Sequence, residues 1–239
     1  MSKHKDFILT PIINILHEVV SANYAVGNGM ETYPLSEHVF QSAFLRMTGS
    51  QEQKMKCICW ELATEDYTYR YNKYTKSKVG ECSTYGEKKD IYIDLLNAIK
   101  KYESTYSPTS TEFDKCKLQT DTLNELKALF SSSSLSVWGQ SSFLDFVGYY
   151  NTVFAEDQFA LDTHLFESVL RSQYELVYRH RNRCAHNTLS YQQNLPTLTE
   201  LLDANYRYDN YVTRFTVLVL IDKIFIELYK KYLAVFEGY

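Results

Sequence analysis

Apolar residues recur along this chain with the period of an α-helix, and almost nothing interrupts the pattern. In "SQEQKMKCICWELATEDYTYRY", Met55, Ile58, Cys59 and Leu62 fall at i, i+3, i+4 and i+7, one stripe of a helix. Ser50 and Gln53 have capping-box spacing just ahead of that stripe and predict a helix start there. "DIYIDLLNAIKKY" places Ile91, Leu95, Ala98 and Ile99 on one face, and "LQTDTLNELKALF" has the same period. "FLDFVGYYNTVF", "ALDTHLFESVLRSQYELVYRH" and "YVTRFTVLVLIDKIFIELYKKYLAVF" complete the set. The last is the longest and most apolar of these and is expected at the centre of a bundle. Only eight glycines and four prolines occur in 239 residues, too few for a turn-rich β-fold. The expected class is all-α.

The breaks between helices are polar: "TKSKVGECSTYGE", "STYSPTST" and "SSSSLSVWGQSS". The reading is one domain over residues 1–239, with the serine-rich loop 131–142 as the candidate sub-boundary before a motif-bearing half, 143–239. About 100 residues beyond that loop make only a small core, which argues against two independent domains. "GNG" at Gly27–Gly29 lacks the strand-to-helix context of a nucleotide loop and is read as a turn. Five cysteines without framework spacing read as reduced thiols, and Cys57-Ile58-Cys59 has no second Cys/His pair at zinc-ligand spacing, so neither metal nor cofactor is expected. "FTVLVLIDKIFIELY" is broken by Asp222, Lys223 and Glu227, too short and too charged to span a bilayer. The expectation is a soluble cytoplasmic protein with no membrane partner.

Against a formal net charge of -4, one stretch is strongly basic. "YRHRNRCAHNT" carries Arg179, Arg181 and Arg183 beside His180 and His186, and any polyanion must be held by this local patch. On an ideal helix Arg179, Asn182, Arg183 and His186 share one quadrant. Arginine grips phosphate through its planar fork, and histidine exchanges a proton near neutral pH. Together they can cleave RNA without a metal. Neutral His186 would take the proton of a ribose 2′-OH, the oxyanion would attack the adjacent phosphorus, and arginine would stabilise the charge that builds there. The surrounding positive charge is expected to lower the pKa of His186 and keep it basic.

"RNRCAH", Arg181 to His186, resembles the Arg-X4-6-His signature of HEPN-superfamily proteins, in the form with Asn directly after Arg. The resemblance covers about Leu161 to Phe236 and implies a HEPN-like helical bundle, here with additional N-terminal helices. It implies that the motif sits near the start of a late helix, and that a homodimer joins two motifs into one composite site. It further implies a metal-independent endoribonuclease, of the kind found in toxin, abortive-infection and phage-defence systems. Such a toxin would be restrained by an antitoxin, a sensor domain or another protein. By carry-over Arg181, Asn182 and His186 are catalytic, and Arg179, Arg183 and His180 bind substrate phosphate. Arg179 with His186 is a second match at X6 spacing, so either arginine can be the catalytic one. The alternative is a non-catalytic HEPN-like bundle that binds RNA, a nucleotide or a protein partner.

Remaining residues divide between two readings. Glu61, Glu65 and Asp66 either pair with Arg179 or Arg183, or form a solvated face with Arg70 as the i+4 partner of Asp66. The second is favoured. His17 and His164 read as packed or surface histidines, Trp60 and Trp138 as core or interface anchors. Tyrosines in "DYTYRYNKY" and "ANYRYDNY" are expected to pack their rings and keep the hydroxyl wet, in preference to stacking on nucleobases.

Overall fold

The computed structural model describes residues 3–23, 33–76, 80–108, 114–131, 140–155, 158, 164–186, 197–202, 204 and 206–237. The expected turn at Gly27–Gly29 and residues 132–139 of the serine-rich loop, Trp138 among them, lie outside them. The fold is all-α, and the described residues contain no strand. In chain order its helices are α1 (Lys3–Leu9), α2 (Ile13–Asn23), α3 (Tyr33–Glu65), α4 (Tyr67–Arg70), α5 (Tyr85–Tyr102), α6 (Lys115–Ser131), α7 (Gln140–Val153), α8 (Ser168–His186), α9 (Leu198–Leu201) and α10 (Tyr211–Glu237). A π-helical segment, Tyr71–Lys76, continues α4, and one 3-10 turn, Tyr206–Tyr208, precedes α10.

Helix α10 is the spine. Every residue from Val212 to Asp222 is buried, and α1, α3, α5, α6, α7 and α8 all pack on it. A helix that is apolar all round has to lie inside others. Its start is set by Asn210, whose Oδ1 accepts the Thr213 N–H at 3.0 Å. The polar side chains inside the run have partners. Thr216 donates to the Val212 carbonyl at 2.7 Å, and Arg214 grips Asp209 in a bidentate pair at 2.7 and 2.8 Å. Asp222 accepts from Lys54 at 2.6 Å and from the Ile12 N–H at 2.8 Å.

Helix α3 corrects the start expected at Ser50. Phe40, Ala43, Phe44 and Met47 are buried at the same spacing as Met55, Ile58, Cys59 and Leu62, so one stripe runs on through Gly49-Ser50. Thirty-three residues make α3, not α10, the longest helix described. The capping box that does form belongs to α5: Thr84 accepts from the Glu87 N–H at 3.2 Å, and Glu87 accepts from the Thr84 N–H at 3.0 Å. Glu87 also takes the Ser83 N–H at 2.9 Å. Burial pushes this carboxyl up, and the backbone and hydroxyl donors of Thr84 and Ser83 outweigh that and hold it below its ordinary value.

Helix α8 starts at Ser168, later than the amphipathic pattern "ALDTHLFES" predicts. The Gln158 side chain caps it, its Oε1 accepting the N–H groups of Val169 and Leu170 at 2.9 and 3.3 Å. Just upstream, His164 is only partly exposed, 3.1 Å from Glu167. Buried residues from both sides of the serine-rich loop join in a single hydrophobic cluster.

Candidate functional site

The buried stripe of α8 is Leu170, Gln173, Tyr174, Val177, His180 and Cys184. That stripe decides which motif residues reach solvent. Arg179 is exposed, while Arg181, Asn182 and Arg183 are partly exposed. The motif occupies the last six residues of α8, Arg181 to His186, not the start of a late helix as the resemblance implies. A helix C-terminus carries partial negative charge, which favours cations in its final turn. Of the three arginines, Arg183 falls in that turn. The side chain of His186 lies outside the described residues, as does the expected shift in its pKa.

Arg181 is held from two sides. Its Nη2 donates to Glu52 Oε2 at 3.0 Å and its Nη1 to Asn182 Oδ1 at 3.1 Å. Asn182 thus orients the arginine. The pair is partly shielded, with 26% of the Arg181 side chain and 12% of Glu52 exposed, so the carboxylate fixes the guanidinium more firmly than a surface partner would. Glu52, on α3, was not legible beforehand, because its partner is 129 residues away in the chain.

Behind Glu52 lies a buried lysine. Lys88 on α5 donates to the Cys82 carbonyl at 2.8 Å, and burial pushes its pKa down to about 8 although Glu52 opposes the shift. Tyr174 donates to the Ser83 carbonyl at 2.7 Å. Glu52, Lys88, Tyr174 and Arg181 line a void of about 10 Å³, the lower limit for one water. The arginine is thus tied to α3 through Glu52, with Lys88 of α5 across the void.

His180, expected to bind substrate phosphate, faces the core. It is 9% exposed, and its ring packs 5.2 Å from Phe44 and 5.4 Å from Tyr211. Nε2 lies 3.3 Å from the Tyr211 hydroxyl and 3.4 Å from Cys184 Sγ, and Nδ1 lies 3.5 Å from Arg183 Nη2. Burial, then Arg214 and Arg183, push its pKa down to about 2. The helical offset from Val177 and Cys184 puts it on the core face, where it is neutral. Arg183 approaches that core histidine, which leaves Arg179 as the motif arginine most open to solvent.

Two members of the expected acidic cluster, Glu61 and Asp66, have partners away from the motif. Glu61 lies 3.3 Å from His4. Asp66 caps α4 by accepting the Tyr69 N–H at 2.9 Å and pairs with Lys101, not with Arg70. Arg70 lies 5.2 Å from the Tyr67 ring. Trp60 is 56% exposed, so it is no core anchor. None of the five cysteines is in a disulfide, and Cys57 and Cys59 are buried. Among the described residues no cluster of three or more His, Cys, Asp or Glu could hold a metal ion. No described helix is long and apolar enough to cross a membrane. No family model, curated protein or solved structure matches the chain.

Proposed function

We propose that this chain is a HEPN-like, metal-independent endoribonuclease whose working residues are Arg181, Asn182 and His186. The observation that carries the reading is the bracing of Arg181: Glu52 and Asn182 hold a partly exposed guanidinium in place on α8, five residues before His186. A preorganised cation is worth most where charge builds up in a transition state, because it need not reorient at that moment. In the proposed reaction His186 removes the proton of the ribose 2′-OH, and the oxygen forms a bond to the neighbouring phosphorus. The bond from phosphorus to the 5′ oxygen breaks, and that oxygen takes up a proton. The products are a 2′,3′-cyclic phosphate and a 5′-hydroxyl end. Arg181 stabilises the equatorial oxygens, and exposed Arg179 contacts a flanking phosphate. A second motif, from a twin subunit, supplies the acid. A role as toxin or phage-defence effector, restrained by an antitoxin or sensor protein, rests on the resemblance of "RNRCAH" alone.

The test is incubation of wild type, His186→Ala, Arg181→Ala and Arg179→Ala with structured RNA in EDTA, with the new RNA ends sequenced. Losses of about 10²-fold or more are expected for His186→Ala and Arg181→Ala, and a smaller loss for Arg179→Ala. RNA that is bound and never cut by the wild type would make the protein the non-catalytic binding bundle.

A further inference from the structure

The exposed aromatic rings among the described residues lie in one short span of chain. Trp60 is 56% exposed, Tyr67 72%, Tyr71 47% and Tyr74 38%, all at the end of α3, in α4 or in the π-helical segment. Tyrosines of "DYTYRYNKY" thus do not pack away as expected; three of its four present their rings to solvent, and Tyr69 alone is half-buried. Cations are set among the rings: Arg70 lies 5.2 Å from the Tyr67 centroid and Lys76 5.5 Å from that of Tyr71. Trp60 and Tyr74 together line an open cleft of about 570 Å³, with Gln53 and Lys56 on its α3 side. Glu81 stands at the same cleft and pairs with Lys56 at 2.6 Å.

The cleft is next to the Arg181 anchor. Gln53 follows Glu52 directly, and Lys56 is one helical turn on, about 6 Å along the axis. We propose that Trp60 and Tyr74 form a stacking subsite for an unpaired base of an RNA strand, whose backbone then runs along α3 toward Arg181. The proposal rests on the ribonuclease reading for its direction, and on the exposed rings and cleft for its existence. Exposed Trp, Tyr and Arg also suit a protein interface, but lysine is depleted there, and Lys56 at the cleft and Lys76 over Tyr71 favour an anionic strand. A duplex fits less well, since its base faces are already stacked and only a single strand can offer them to aromatic side chains. Lys56 bridges to the phosphate once it exchanges Glu81, which is 80% exposed, for the strand.

The experiment uses the full chain carrying Trp138→Phe, which leaves Trp60 as the reporter, and His186→Ala, which prevents cutting. An oligouridylate strand about 12 nucleotides long is expected to quench Trp60 fluorescence. Binding of the same strand, followed by anisotropy of a fluorescein label, should weaken about tenfold in Trp60→Ala and in Tyr74→Ala, both solvent-exposed positions. A duplex of equal length should compete poorly. No quenching, or unchanged affinity in both variants, overturns the subsite even if the wild type cuts RNA. A strand that quenches Trp60, together with structured RNA that the wild type never cuts in EDTA, leaves the subsite standing and removes the ribonuclease reading.

Discussion

His180 sits among Phe44, Tyr211 and Cys184, and its depressed pKa makes stability depend on pH in a defined direction. The folded chain keeps this ring neutral down to about 2, whereas the unfolded chain protonates it near its ordinary value of 6.5. Below that value the unfolded state binds a proton that the folded state refuses, so stability falls as pH falls. From pH 6.5 to pH 5 the loss attributable to His180 is about 2 kcal/mol. Urea denaturation of wild type and His180→Gln at pH 7 and pH 5 checks this: the variant should lose less stability on acidification, and equal losses would contradict the burial argument. The same residue shows what the sequence conceals at this scale. "RHRNRCAH" displays six polar side chains in a row of eight, and only the helical phase set by Leu170, Tyr174 and Val177 separates the core histidine from the arginines. Asn182 and Arg181 could be singled out in advance as a local pattern. Glu52 could not, since nothing local ties it to a residue 129 positions away.

Helices were legible to the extent that their signals are local. The stripes of α3, α5, α6 and α10 declare themselves by period, whereas boundaries depend on what the ends meet. Ser50 and Gln53 have capping-box spacing yet lie inside α3, because the apolar stripe upstream from Phe40 outweighs a cap. Thr84 and Glu87 have the same spacing and do cap. Helices α1, α2, α3 and α10 also meet at a buried ion pair, where Lys54 on α3 and Asp222 on α10 are each 2% exposed. Burial pushes the ammonium of Lys54 down and the carboxyl of Asp222 up, each opposed by the other's charge. Both groups also serve the link between α1 and α2, Lys54 donating to the Thr10 carbonyl and Asp222 accepting the Ile12 N–H at 2.8 Å. Lys54→Met should therefore cost about 3–5 kcal/mol, by stranding a buried carboxylate. Lys54→Met with Asp222→Leu removes both charges but leaves those two backbone groups without their partners, each worth about 1–3 kcal/mol. Thermal melts should show the double variant still well below wild type. Full recovery would mean that the pair holds nothing but itself.

At the scale of the molecule, an acidic protein carries an arginine-rich stretch on α8, with Arg181 braced by Glu52 of α3. One subunit offers one Arg181 and one His186, but in-line attack needs a base on one oxygen and an acid on the other. A two-fold dimer that brings the ends of two α8 helices together would supply both from a single sequence, since an isologous interface repeats each contact. The consequence is kinetic as well as structural. If the active species is a dimer, initial RNA cleavage in EDTA should rise with the square of protein concentration below the dissociation constant and linearly above it. Light scattering over the same range should pass from the mass of one chain to that of two. Arg179→Glu, at an exposed position of the motif, should disturb cleavage more than assembly if that charge contacts the substrate phosphate as proposed. Cleavage linear in concentration by a particle with the mass of one chain would place acid and base within a single subunit. The acid would then have to come from a group that already neighbours Arg181. Lys88, buried and with a pKa pushed down to about 8, is too enclosed to reach a leaving oxygen, so the linear result would also require the helix end to open.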